Sequence, residues 1–504
     1  MGKFLIGWSE VDITPDRPVL LCGQFAERVS QSVEKPISAT ALALSDGTEQ
    51  MVVVSVDLVD ISVSLAKAVK EAVSDVEGLQ PEKVIIAAIH THTSIDYGSD
   101  YESYTDRFCE YVDIPYEDMG LRKEDYPYVT AADTKDPEIL SPKEANAFLT
   151  ERIASAIRKA WKNRKPGSVA NAFGRAAIGM CRRVQYTDAT AAMWGDADTA
   201  VFESLEGGSD TGVELLFTFD EKGGFTGVIP NIACPAQCVQ HRLFISPDYW
   251  GEAKMLLRKH FGEELYMLPL CSAAGDQCPV DLVRWVEPES DVHDPNIKRN
   301  DPPARKADPS MFDLSGMRLA GRRVAQEIIN VFDDGSWKRI TEGVFRHEVM
   351  RLNLPLRRVS RTEYREAVAS FRDAILRKET KELDFNDMAD HLIEAGIINR
   401  FHLQEKTEFD QAEVHVVRLG RIAIASSPFE LFLDYGNQIR ARSKAEQTFL
   451  VQLADGCEGY LPTKKAEEHG HYSAIVGSGF VGHEGGDLLV RTTLDKIQEQ
   501  FEES

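Results

Sequence analysis

Nowhere in the 504 residues is there an unbroken apolar run of about 18, the length a helix needs to cross a bilayer, so no transmembrane helix is expected. Basic charge is short: 57 Lys and Arg stand against 81 Asp and Glu, a formal net charge of −24. Nucleic acids and anionic membrane surfaces reward the opposite excess, so neither is expected as a partner. Cysteine is sparse, at Cys22, Cys109, Cys181, Cys234, Cys238, Cys271, Cys278 and Cys457, and scattered. That pattern predicts reduced thiols rather than a disulfide framework. The amino terminus lacks the apolar core of a signal peptide: Met1–Ile6 carries a lysine, and polar residues begin at Ser9-Glu10. A cytoplasmic location is therefore expected. There is no internal repeat and no Gly/Ser-rich linker, so residues 1–504 read as one large unit.

What is present is an α/β grammar. Met51–Ser62 opens with a β-branched run and reaches Asp57, Val63–Val76 has apolar residues at helical spacing, and Glu82–His92 returns as a strand. Parallel strands joined this way lie near each other, which puts Asp57 and His90 at strand carboxyl ends, where ligands of α/β proteins bind. Further strands are read at Gly227–Gln237, Glu264–Pro279, Glu413–Phe432 (a hairpin turning near Gly420-Arg421) and Thr448–Thr463, each running out into a polar or glycine-bearing loop. The expected architecture is a mixed-sheet α/β domain whose working edge gathers strand exits. Two acidic segments, about 96–142 and 280–313, read as insertions. Residues 361–406 read as a helical arm of one or two amphipathic helices.

Several residues could carry chemistry. His90 and His92 are one residue apart; on an extended chain they face the same way and suit a metal ligand beside an acid/base, although two incidental polar residues at a strand exit would look the same. Cys234, Cys238 and His241 are zinc-type ligands, but their spacing is not that of a zinc knuckle, and buried free cysteines are the alternative. The small-residue turn Ala273–Pro279 carries Asp276 and Cys278; its backbone N–H groups can stabilise negative charge, and Cys278 could be a nucleophile if its pKa were lowered. Arg182 or Arg183 could clamp an anionic oxygen, or both could make surface ion pairs.

Seven stretches in order resemble the neutral/alkaline non-lysosomal ceramidase family: "GWSEVDITP", "KPISATALALSDG", "VSVDL", "IHTHTS", "AAGDQCP", "PFELF" and "GYLPT". They span almost the whole chain. The resemblance implies a neutral-ceramidase-type catalytic fold and a metal site. By that likeness His90, Glu430 and Tyr460 would be metal ligands, while His92, Arg182, Asp276, Cys278 and Tyr472 would lie in the active site. Three departures stand out. The family's second histidine ligand, in an Asn-x-x-x-His-Pro segment, is missing from Asn231-Ile-Ala-Cys-Pro-Ala-Gln237, leaving Cys234 or His241 as substitutes, or a more hydrated metal. Cys278 stands where the family has serine. Finally, about thirty residues follow Tyr472, so the C-terminal immunoglobulin-like domain of typical ceramidases is expected to be absent.

The reaction implied is metal-assisted hydrolysis, with zinc the first choice and Mn²⁺ or Mg²⁺ compatible with a Glu/Tyr shell. Arg182, Tyr472 and the turn at Cys278 would stabilise an oxyanion, and His92 would shuttle a proton. A small polar amide, ester or lactone, possibly sugar- or polyol-derived, is expected rather than ceramide. The partner is then a small molecule, with no stable membrane association and a homo-oligomer possible. Two alternatives stay open: a cysteine hydrolase using Cys278, and a non-catalytic ligand-binding protein on a hydrolase scaffold.

Overall fold

The computed structural model describes residues 2–24, 28–98, 114–127, 138–284, 313–383, 387 and 390–502. Most of both acidic insertions, and Cys109, lie outside these residues.

Short β-branched and apolar runs form the first sheet. Its strands are Leu5–Asp12 (β1), Ser38–Ser45 (β2), Gln50–Val56 (β3), Val84–Ala88 (β4), Lys165–Arg175 (β5), Gly212–Asp220 (β6), Phe225–Ile232 (β7) and Tyr266–Met267 (β8). They lie in the order β8-β7-β6-β5-β1-β2-β3-β4, and Leu270–Cys271 (β9) also pairs with β7. β3 runs parallel to β4, and β7 to β8 and β9; the other pairings are antiparallel. The sheet is therefore mixed, and the expected β-α-β unit is present, with Val63–Ala72 (α1) as its crossover. A second sheet comprises Phe345–Pro355 (β10), Phe409–Leu419 (β11), Ile422–Ser426 (β12) and Gln447–Val451 (β13), in that order. β11 and β12 form the hairpin expected at Gly420-Arg421, where Gly420 has φ 61°.

The two sheets pack face to face. Because side chains alternate along a strand, Met51 and Val53 of β3 meet Ile424, Phe449 and Val451 of the second sheet, while Val52, Val54 and Val56 face outward onto helices. Covering both faces explains why β3 is apolar without interruption. Each such side chain fully buried contributes roughly 1.5–3 kcal/mol. On the outside of the first sheet lie α1, Pro142–Lys162 (α2), Tyr249–Phe261 (α3) and Asp313–Asp334 (α4). Arg361–Arg377 (α5) and Leu392–Lys406 (α6) pack on each other through Phe371, Ile375, Ala395 and Ile398, so the arm is a helix pair. Leu433–Arg442 (α7) and His483–Glu502 (α8) cover the second sheet. The result is four layers: helix, sheet, sheet, helix. Among the described residues no helix is long and apolar enough to cross a membrane, and no cysteine is in a disulfide.

Buried Asn231 fastens the sheets together. Its amide Nδ2 donates to the Leu450 carbonyl (2.7 Å) and its Oδ1 accepts from the Leu450 N–H (3.2 Å), joining the end of β7 to β13. Strand exits from both sheets are thereby gathered at one edge.

Candidate active site

At that edge the loops are laced to one another by backbone hydrogen bonds. Ala88 N–H at the end of β4 donates to Leu453 O, Gln452 N–H to Cys271 O, and Ser272 N–H to Ile232 O. Beyond β12, Glu430–Leu431 pairs in parallel with Tyr460–Leu461, setting Glu430 opposite Tyr460. The Ala273–Pro279 turn docks on this pair through Gly275 N–H to Leu431 O (2.9 Å). A Cβ on Gly275 would lie 2.3 Å from Glu430 O, so only glycine lets the turn come this close.

His90 and His92 do converge, with their Nε2 atoms 3.3 Å apart and their rings edge to face. The cause is not an extended chain. His90 lies beyond β4 with φ 64°, a left-handed conformation that costs a non-glycine residue about 1–3 kcal/mol. Its Nδ1 is 2.6 Å from Val59 O, so Nδ1–H donates there and Nε2 keeps its lone pair. That lone pair faces Glu430 Oε2 at 3.3 Å. For His92 the tautomer follows from Gln237. Arg182 Nη1 donates to Gln237 Oε1 (3.1 Å), which orients the amide, and Gln237 Nε2 then donates to His92 Nε2 (2.6 Å). Burial, with His90, Arg28 and Arg182 nearby, holds the His92 pKa well down, so the ring is neutral.

His90 Nε2 thus faces an acceptor, the Glu430 carboxylate, while the His92 Nε2 lone pair is taken by the Gln237 amide. Acceptors facing one another repel unless a cation sits among them. A tetrahedral ion with bonds of about 2.0–2.1 Å sets its ligand atoms about 3.3–3.4 Å apart, the spacing of His90 Nε2 and Glu430 Oε2. The donor set therefore fits a divalent ion of zinc type.

Arg182 is buried at the centre of the site. Its Nη2 donates to Tyr460 Oη (3.2 Å) and Gly275 O (2.9 Å) and lies 3.8 Å from Glu430 Oε2. Burial pushes the Tyr460 phenol well up, and the Tyr472 ring stands edge-on to it at 5.4 Å. Arg183, equally buried, has a separate task. It pairs with Glu206 and donates to Tyr472 O (2.9 Å) and Gly470 O (2.8 Å), fastening the turn that presents Tyr472. The two adjacent arginines are not surface ion pairs.

The remaining expected residues lie around this centre. Asp276 Oδ1 accepts from Leu433 N–H (2.9 Å) at the start of α7, and burial pushes its pKa up to about 6. Cys278 Sγ contacts Val280 O (3.3 Å), and burial pushes its thiol up to about 12, against thiolate formation. Cys234 Sγ lies against Pro235 O, and His241 Nε2 is 3.4 Å from Asp313 Oδ1. Among the described residues neither these two nor His90 and Glu430 belong to a group of three His, Cys, Asp or Glu whose ligand atoms lie within 4.8 Å of one another. The segment that lacks the expected ligand histidine instead supplies Gln237. Sequence reasoning missed Gln237, and the missing histidine was the signal that could have found it. It also missed Arg28, whose Nη2 donates to His92 O and Cys22 O (both 2.8 Å), and Gly23. Gly23 has φ 103°, and a Cβ there would lie 2.6 Å from the His92 ring. Gly23→Ala is expected to leave the protein folded but to displace that ring, visible as a shifted His92 ring resonance in a ¹⁵N-histidine spectrum.

No family model and no curated protein sequence matches the chain. Solved structures do. The neutral ceramidase from Pseudomonas aeruginosa matches with a TM-score of 0.67 at 14% identity, covering 100% of this chain and 75% of that one. The chain has the neutral ceramidase fold. A ceramidase complexed with C2 matches equally, at a TM-score of 0.67 and 14% identity over 100% of this chain and 76% of the other. Identity this low establishes shared architecture; the chemistry has to be argued from the residues.

Proposed function

We propose that this chain is a metal-dependent hydrolase acting on an amide, ester or lactone of a small polar compound, as one ceramidase-like catalytic unit in the cytoplasm. The observation that carries the reading is the facing of His90 Nε2 and Glu430 Oε2 at 3.3 Å, beside Tyr460 and a buried Arg182. His90, Glu430 and Tyr460 are the ligands this reading assigns. A divalent ion bound there supplies Lewis acidity toward a carbonyl oxygen or water.

The chain's own groups divide the remaining work. Arg182 and the protonated phenol of Tyr472 stand to donate to an oxyanion. Neutral His92 has its Nε2 lone pair on the Gln237 amide, so it would take a proton from the nucleophile only by exchanging that hydrogen bond. Gln237 holds His92 in that tautomer. Gln237→Leu is expected to lower turnover by roughly 10–100-fold with zinc content unchanged, as for other groups that orient a site from behind, measured by initial rates and elemental analysis. Cys278, a buried thiol, has no role as nucleophile in this reading. The preference for a polar substrate is supported by the side chains that meet at the site: two imidazoles, an amide, a guanidinium, a carboxylate and two phenols.

The test is metal analysis of the purified protein together with a screen of soluble amides, esters and lactones beside ceramide. Bound zinc or manganese and chelator-sensitive turnover of a soluble substrate are expected. Faster turnover of ceramide would sink the substrate assignment. No metal uptake and no hydrolysis after zinc or manganese is added would sink the enzyme.

A further inference from the structure

A second group of ligand-type side chains lies away from this site. Glu413 and His415 are two residues apart on β11, on one face of the strand, and Asp455 (φ 56°) comes from the loop after β13. His415 Nε2 is 3.3 Å from Asp455 Oδ2 and 3.4 Å from Glu413 Oε1. The side chains of His415 and Asp455 are 0% and 1% exposed. Neither His415 Nε2 nor Asp455 Oδ2 makes a hydrogen bond.

The tautomer of His415 is set from behind. His347 Nδ1 lies 3.1 Å from Gln50 O and donates to it. With Nδ1 committed as a donor, the His347 nitrogen left to face His415 is Nε2, which acts as the acceptor. It accepts from His415 Nδ1 at 2.8 Å. His415 Nδ1–H is thereby committed to His347, and Nε2 is the nitrogen turned toward the two carboxylates, whose charges favour a cation there. A ligand histidine that donates its other N–H to a fixed partner is the usual outer-shell arrangement of metal sites.

One cation is already at hand. Lys70 Nζ lies 2.7 Å from Glu413 Oε1 and 3.0 Å from Asp455 Oδ1. It balances one carboxylate of the two, so His415 Nε2 and Asp455 Oδ2 face each other across a buried gap that a cation, either a proton on His415 or a metal ion, would bridge. The two Nε2–O distances again equal the edge of a tetrahedral zinc shell, about 3.3–3.4 Å. A cleft of about 540 Å³ is walled in part by Lys70, Glu413 and Asp455, with His415 buried behind them.

We propose that Glu413, His415 and Asp455 form a second divalent-cation site of zinc type, with the Lys70 ammonium tempering its affinity. Its role is structural. Asp455 N–H donates to Ile86 O (2.9 Å) and its Oδ1 accepts from Ile86 N–H (3.3 Å), so holding Asp455 ties the strand that leads to His90 to the loop that leads to Tyr460.

The competing occupant is a proton on His415 Nε2, and metal counting separates the two. Metal-free protein titrated with zinc against a chelator is expected to retain two equivalents. The double variant His90→Ala, Glu430→Gln is expected to retain one, which adding His415→Gln or Asp455→Asn removes. In the same double variant, Lys70→Met is expected to tighten the remaining equivalent about tenfold or more, because a like charge is gone. Cobalt in place of zinc should show the visible band of a four-coordinate N/O site in the double variant. Zinc uptake that vanishes with His90 and Glu430, or that survives both His415→Gln and Asp455→Asn, overturns the proposal. So does a His415 ring with both nitrogens protonated at neutral pH in the presence of zinc. Loss of only the equivalent that depends on His90 and Glu430 bears on the proposed hydrolase and leaves this site standing.

Discussion

Glu430→Gln is expected to cost the protein one equivalent of zinc and its hydrolytic activity while leaving the fold in place. The substitution keeps the volume and the backbone pairing of Glu430 with Tyr460 but removes the carboxylate that faces His90 Nε2. A glutamine Nε2 could donate to the His90 lone pair, satisfying it without a metal. Loss of a ligand should exceed the roughly 10–100-fold cost of losing a group that only orients one. Zinc content by elemental analysis, turnover of the best soluble substrate and circular dichroism of the metal-free protein check the three parts. Full zinc content with unchanged turnover would remove Glu430 from the metal shell.

Arg182→Met should have the largest combined effect on stability and rate. The guanidinium serves Gln237, Gly275, Tyr460 and Glu430 from a fully buried position. Removing one partner of a buried charged cluster costs about 3–5 kcal/mol, because the remaining carboxylate is left uncompensated. Removing an oxyanion donor costs roughly 10²–10³ in kcat. Arg182→Lys separates the two effects. It keeps the charge but not the planar fork, so it should recover part of the stability in a urea melt and little of the rate. A lysine variant with near-normal kcat would show that charge alone suffices and that the hydrogen-bonded geometry is not used.

The hydrolase reading and the second cation site share one physical basis. In both, a histidine has one nitrogen committed as a donor, to Val59 O or to His347, and turns the other toward a carboxylate at 3.3 Å. The first group lies beside Arg182 and Tyr460, the groups that the proposed hydrolysis uses. The second is backed by β-strand and held by Lys70, which suits it to holding the loops rather than to chemistry.

Much of the framework was legible in the residues. The β-branched run of Met51–Val56, the helical spacing after it and the second run ending at Ala88 determined a parallel pair by local pattern alone. The strand exits at His90, Asp276, Glu430 and Tyr460 could be named because each apolar run stops at polar or glycine residues. The convergence of His90 and His92 was also legible, although the reason offered for it, an extended backbone, was wrong; a left-handed residue does the turning. What no local pattern could decide was which exits meet. Gln237 touches His92 across 145 positions of chain, and Arg182 reaches Tyr460 across 278. Arg182 and Arg183 are adjacent and chemically identical, yet one enters the site and the other fastens the Tyr472 turn. Local sequence determines strands because a run of β-branched and apolar residues is a nearest-neighbour property. The partner of a buried donor depends on how two sheets stack, and that was settled only when they packed.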